Sequence, residues 1–162
     1  MPENNTIKKL NRFSVSADLQ IFLENNPDKK VIVIQGLGFV GAVMSLVCAN
    51  SITEEYAVIG VDLPTDSSVK KINALNSGEF PLIAEDPKID EFFKNSISKG
   101  NLHATTDPTA FSLADVIIVD VNLDVGKKAD EDYSLKDYDV DLTNFKEAIS
   151  TIGQFCNPKA LV

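Results

Sequence analysis

The stretch Lys30-Val-Ile-Val-Ile-Gln-Gly-Leu-Gly-Phe-Val-Gly41 decides the fold. Its first half, Val31 to Ile34, is an unbroken β-branched run, the pattern of a strand buried on both faces. Its second half spaces glycines as Gly-x-Gly-x-x-Gly and runs straight into 39–50, a segment without a charged side chain that reads as a buried helix. In that order each glycine has a task. Gly36 permits a tight turn, Gly38 lets a pyrophosphate approach the backbone with no Cβ in the way, and Gly41 lets helix pack closely on strand. Phosphates would then rest at the positive end of the helix, held by backbone N–H groups.

Working outward, Tyr56-Ala-Val-Ile-Gly-Val61 reads as the next strand and completes a strand–helix–strand unit. Asp62 ends it, about 20 residues beyond Gly41, where a carboxylate can accept hydrogen bonds from both hydroxyls of a ribose. The same charge would repel a 2′-phosphate. NAD, rather than NADP, is therefore the expected cofactor.

Upstream, Met1–Asn11 is polar and expected to fray, while Ser16–Asn25 opens on an N-cap residue and carries apolar residues at helical spacing. Asn26-Pro27-Asp28 marks a turn. Downstream, the spacing predicts helices over 67–76 and 86–99, separated by the Gly78/Pro81 loop, then a short strand at 102–106. Asp107-Pro108 caps a further helical segment that leads to a buried strand, Asp115–Val121. Asn122–Asp139, including Asp130-Glu131-Asp132, is acidic and reads as an exposed, solvated loop. A helix is expected over 140–156, and Pro158–Val162 has the pattern of a strand's first residues. Strands alternating with helices point to an α/β fold, a Rossmann-type doubly wound parallel sheet with helices on both faces. Residues 1–29 are read as an extension with a short helix. Residues 30–162 are read as the dinucleotide-binding domain, cut off before its sheet is complete.

The chain has 162 residues, 44% of them hydrophobic, enough to bury one core, and a formal charge of −9. That charge weighs against nucleic acid and anionic membranes as partners, since both demand clustered Lys and Arg. It does not oppose a dinucleotide held by backbone donors. Cys48, Cys156 and the single histidine, His103, lack metal-ligand spacing, so no metal site is expected. Cys48 and Cys156 read as small core residues, and His103 as structural or exposed. The first residues have no apolar core and no apolar run reaches membrane-spanning length, so a cytoplasmic location is expected.

The ordered set of segments resembles the N-terminal domain of the UDP-glucose/GDP-mannose dehydrogenase family. The parts are VIVIQGLGFVG, the acid-ended strand VIGVD, KKINALNSGEFPLIAED and LHATTDPTAFSLADVIIVDV. The third is similar to the family's Lys-Val-x-x-Leu-Asn-x-Gly-x-x-Pro stretch and the fourth to its Thr-Thr-Asp segment. The resemblance implies that Gly36, Gly38, Phe39, Val40, Gly41 and Asp62 hold NAD, with Lys71 near the adenosine ribose. It also implies that the turn Val121-Asn122-Leu123 lines the cofactor. The chain departs from the family there, reading Val121-Asn122-Leu123-Asp124 in place of Val-x-Thr-Pro, and the loop 63–68 carries an insertion. By the same resemblance the parent protein oxidises the C6 alcohol of a UDP- or GDP-sugar to a uronate and forms homo-oligomers. Its catalytic cysteine, with supporting Lys, Asn and Asp, is expected beyond Val162, so that no catalytic residue falls in this chain. A non-catalytic NAD-binding or sensing module, or another Rossmann dehydrogenase, are the alternative readings.

Overall fold

The structure, a computed structural model, describes residues 14–123, 125–129 and 135–162. The readings of Met1–Asn11, of Asp124 and of Asp130-Glu131-Asp132 lie outside the described residues.

Four strands form an all-parallel sheet in the order β3-β2-β1-β4: β1 (Lys30–Gln35), β2 (Tyr56–Val61), β3 (Leu102–Thr105) and β4 (Val116–Val119). The β-branched run becomes the central strand, in register from Lys30↔Tyr56 to Gln35↔Val61 on one side and from Ile32↔Val116 to Gln35↔Val119 on the other. Leu161 adds a single parallel bridge to Val116 on the far side of β4, where the sequence pattern placed a strand's first residues.

Side-chain alternation along β1 splits the core in two. Val31 and Val33 face a layer made by α1 (Ala17–Glu24), the 3-10 helix Pro108–Leu113 and α5 (Thr143–Phe155), through Leu19, Phe22, Leu23, Phe111, Leu113 and Ile152. Ile32 and Ile34 face the opposite side, the side covered by α2 (Phe39–Ala49), α3 (Asp66–Ser77) and α4 (Pro87–Lys99). Helices thus cover both faces. Each fully buried Val or Ile contributes roughly 1.5–3 kcal/mol, so this strand alone anchors both layers.

Local chemistry sets the ends of the helices. Thr65 and Asp86 cap α3 and α4 by accepting from the N–H groups of Ser68 and Lys88, and Gly78 and Gly100 close them in the left-handed conformation. Asp107 caps the 3-10 helix through Thr109. The turn before β1 holds Asp28 at φ +64.

One expectation is corrected. Part of the stretch read as an exposed loop, 122–139, forms an antiparallel pair, β5 (Val125–Ala129) with β6 (Leu135–Val140), in register from Val125↔Val140 to Lys128↔Asp137. A two-stranded ribbon with few apolar residues is held by its backbone ladder, which leaves no hydrophobic period in the sequence. The last helix also starts later than the spacing predicts, at Thr143 rather than Val140, because β6 claims Val140.

Candidate dinucleotide-binding site

β1, β2 and β4 end on one edge of the sheet, and the chain reverses its winding between β1 and β4, the crevice where open α/β sheets bind ligands. The glycine turn occupies that point. Gly36 has φ +96, and its N–H donates to Val61 O at 2.8 Å. A Cβ on Gly36 would stand 2.0 Å from the carbonyl oxygen of Asp120, and one on Gly41 would stand 2.0 Å from that of Gly36. Both contacts are with backbone, which cannot yield, so neither position admits another residue without moving a strand.

Gly38 plays a different part. It is the N-cap of α2 with ordinary extended backbone, supplies no side-chain cap, and a Cβ there would meet nothing within 4 Å. A side chain at this position would therefore stand in the open approach to the helix start, and the first-turn N–H groups stay available to an anion. Phe39 and Val40, 52% and 60% exposed, contribute backbone rather than core. Leu37 between the glycines is fully buried against Gly60 of β2, whose missing Cβ would stand 2.6 Å from its Cδ2.

Asp62 follows β2, its N–H donating to Thr105 O at 3.2 Å. Its carboxylate accepts from Leu63 N–H at 2.8 Å through Oδ1 and from Lys71 Nζ at 2.8 Å through Oδ2. Lys71, from the second turn of α3, also donates to Leu37 O at 2.9 Å. The loop after Asp62 and the Thr65 cap of α3 bring Lys71 back to the strand end. The pair is largely buried, with side-chain exposures of 13% for Asp62 and 26% for Lys71. A carboxylate offers about four lone-pair positions, so two remain for ribose hydroxyls.

Val121, half-buried, and Asn122 and Leu123, both exposed, continue from β4 at the same edge. The sequence reading passed over Asp120, which lies between β4 and this turn. Its N–H donates to Gln35 O at 2.8 Å, and its Oδ2 lies 3.0 Å from the point where a Cβ on Gly41 would stand. The signal was present as a carboxylate ending the apolar run Val116–Val119.

The remaining candidates lie elsewhere. His103 on β3 meets Asp18 of α1 at 3.1 Å and stacks on Phe22 with ring centroids 5.5 Å apart, so it helps to dock α1. Cys48 packs at the edge of the second core, and burial pushes its thiol upward. Cys156 packs against the first core. Among the described residues no group of three His, Cys, Asp or Glu could hold a metal ion, and no helix is long and apolar enough to cross a membrane.

With this geometry in place, known proteins give it a context. No curated protein sequence matches the chain. Among solved structures, an NDP-N-acetyl-D-galactosaminuronic acid dehydrogenase from Methanosarcina mazei superposes with a TM-score of 0.70 at 25% identity, over 91% of this chain and 30% of that one. A UDP-D-ManNAc dehydrogenase from Pyrococcus horikoshii gives 0.59 at 30% identity, over 82% of this chain and 27% of that one. A GDP-mannose dehydrogenase from Pseudomonas aeruginosa, solved as a ternary complex, gives 0.55 at 28%, over 75% and 24%. The chain thus spans less than a third of each relative's length. Residues 29–162 match the NAD binding domain of the UDP-glucose/GDP-mannose dehydrogenase family, and the chain belongs to that family as its NAD-binding domain.

Proposed function

We propose that Gly36, Gly38, Phe39, Val40 and Gly41 receive the NAD pyrophosphate, that Asp62, steadied by Lys71, accepts both adenosine ribose hydroxyls, and that Val121, Asn122 and Leu123 line the nicotinamide half. The observation that carries this reading is the Lys71 ammonium, shared between Asp62 and the carbonyl of Leu37 in the glycine turn. It fixes the ribose acceptor against the phosphate loop before any ligand arrives, which lowers the ordering cost of binding. The residues fit the cofactor: open approach over Gly38, an uncapped helix start, and a carboxylate with lone pairs to spare.

Bound NAD supplies a hydride acceptor, and the protein contributes its position and surroundings. In a protein containing this domain, the substrate proposed is a nucleotide sugar of the UDP-glucose or UDP-N-acetylmannosamine type, oxidised at C6 to the uronate. The solved relatives support that substrate class by their similarity. The oxidation itself is assigned to the parent enzyme, a cytoplasmic homo-oligomer, and not to this chain alone.

Calorimetric titration with NAD and NADP tests the site. The expected result is saturable NAD binding, weaker NADP binding, and loss of NAD binding in Asp62→Ala. A folded protein that binds neither nucleotide would overturn the reading.

A further inference from the structure

We infer that Asp120 is an affinity-setting residue that opposes the dinucleotide's pyrophosphate, keeping cofactor binding weaker than the glycine loop alone would allow. The inference rests on the site assignment proposed above. Three observations carry it. Asp120 Oδ2 reaches the first turn of α2, 3.0 Å from where a Cβ on Gly41 would stand. The carboxylate is half-buried, and it has no hydrogen-bond or ion-pair partner among the described residues. Finally, α2 carries no charged side chain at all, and its N-cap supplies no oxygen to its N–H groups.

Together these place one fixed negative charge in the field that the helix start would otherwise present undiluted to an anion. An acid near a helix N-terminus normally serves that helix, but Asp120 follows the neighbouring strand β4 and accepts from none of the helix's N–H groups. Its charge faces the same first-turn region that must receive the two phosphate charges. Like charges brought together in a half-buried setting repel more than they do in water. Lys71, the cation of the glycine turn, is already shared between Asp62 and Leu37 O, and so does not neutralise Asp120.

Asp120→Asn removes the charge with little change of shape. Titration of wild type and variant with NAD and with ADP, which keeps the pyrophosphate but lacks the nicotinamide half, separates the possibilities. The expected result is about three- to tenfold tighter binding of both ligands by the variant at low ionic strength, with the gap narrowing at about 0.5 M salt, where charges are screened over roughly 4 Å. Asp120→Ala, checked by thermal denaturation, should move affinity in the same direction.

Equal affinities of wild type and variant for each ligand would overturn the inference. So would a variant that binds NAD more weakly but ADP unchanged, since Asp120 would then be accepting hydrogen bonds from the cofactor's distal half. If neither wild type nor variant binds either ligand, the site assignment itself falls, and this inference with it; Asp62→Ala as a control separates that failure from the others.

Discussion

Lys71 Nζ lies 2.8 Å from Asp62 Oδ2 and 2.9 Å from Leu37 O, so one ammonium ties the end of β2 to the turn after β1. Lys71→Met keeps the stem and removes both bonds. NAD affinity should fall by about three- to tenfold, because a preorganised charged hydrogen bond is lost while the carboxylate stays in place. In Asp62→Ser the freed ammonium should narrow the gap between NADP and NAD. Parallel titrations of the two nucleotides read both effects, and an unchanged NAD affinity in Lys71→Met would show that the ammonium plays no part in ordering the site.

Gly41→Ala sets a methyl 2.0 Å from Gly36 O. The helix start must shift away from β1, at a cost of about 1–3 kcal/mol, the range for overpacking. Denaturant unfolding should show that loss. Gly38→Ala, whose methyl meets nothing, should leave stability nearly unchanged and still weaken NAD binding, if the open approach belongs to the pyrophosphate.

Leu19 is fully buried where α1 meets the sheet. Leu19→Ala should cost about 2–5 kcal/mol. Since α1 lies on the face away from α2, hydrogen exchange should quicken in α1 while NAD affinity in the remaining folded protein is preserved. A matching loss of affinity would show that the two faces are coupled.

Asp107 gives a pH dependence. Burial would raise its carboxyl, but hydrogen bonds from Thr109 and Ser16 prevail and hold it below its ordinary 3.8. The folded value is depressed, so the stabilisation is fully present above the unfolded value and disappears as pH falls through the folded one. Thermal stability should therefore drop below about pH 4, and more steeply in wild type than in Asp107→Ala. The variant should itself lose about 1 kcal/mol at neutral pH, as a missing N-cap does. Melting curves between pH 3 and 7 would contradict this if the two proteins ran parallel, on the scale of the ordinary carboxylate range.

Most of the framework was legible because it rests on local signals. The β-branched run of β1, the cap Asp107 and the loop glycine Gly78 each act within a few residues, and the observed elements begin or end at them. The β5–β6 ribbon was not legible, since pairing between polar strands leaves no periodic mark. The site divides in the same way. Glycine spacing revealed Gly36 and Gly41, but the reason for each is a carbonyl that only the fold brings near. Asp120 and the Leu37–Gly60 contact escaped the sequence reading because both depend on which strand lies beside β1. The reach of Lys71 to Asp62 likewise depends on how the loop 63–68 folds back, which spacing alone does not fix.

The alternation along β1 has a bearing on which genetic lesions this domain can survive. Val31 and Val33 belong to one layer and Ile32 and Ile34 to the other, so exchanging one branched apolar residue for another should be mild. Deleting a single codon within 31–34 is a different event. It would turn every following side chain of the strand to the opposite layer, so register along the strand matters more here than residue identity.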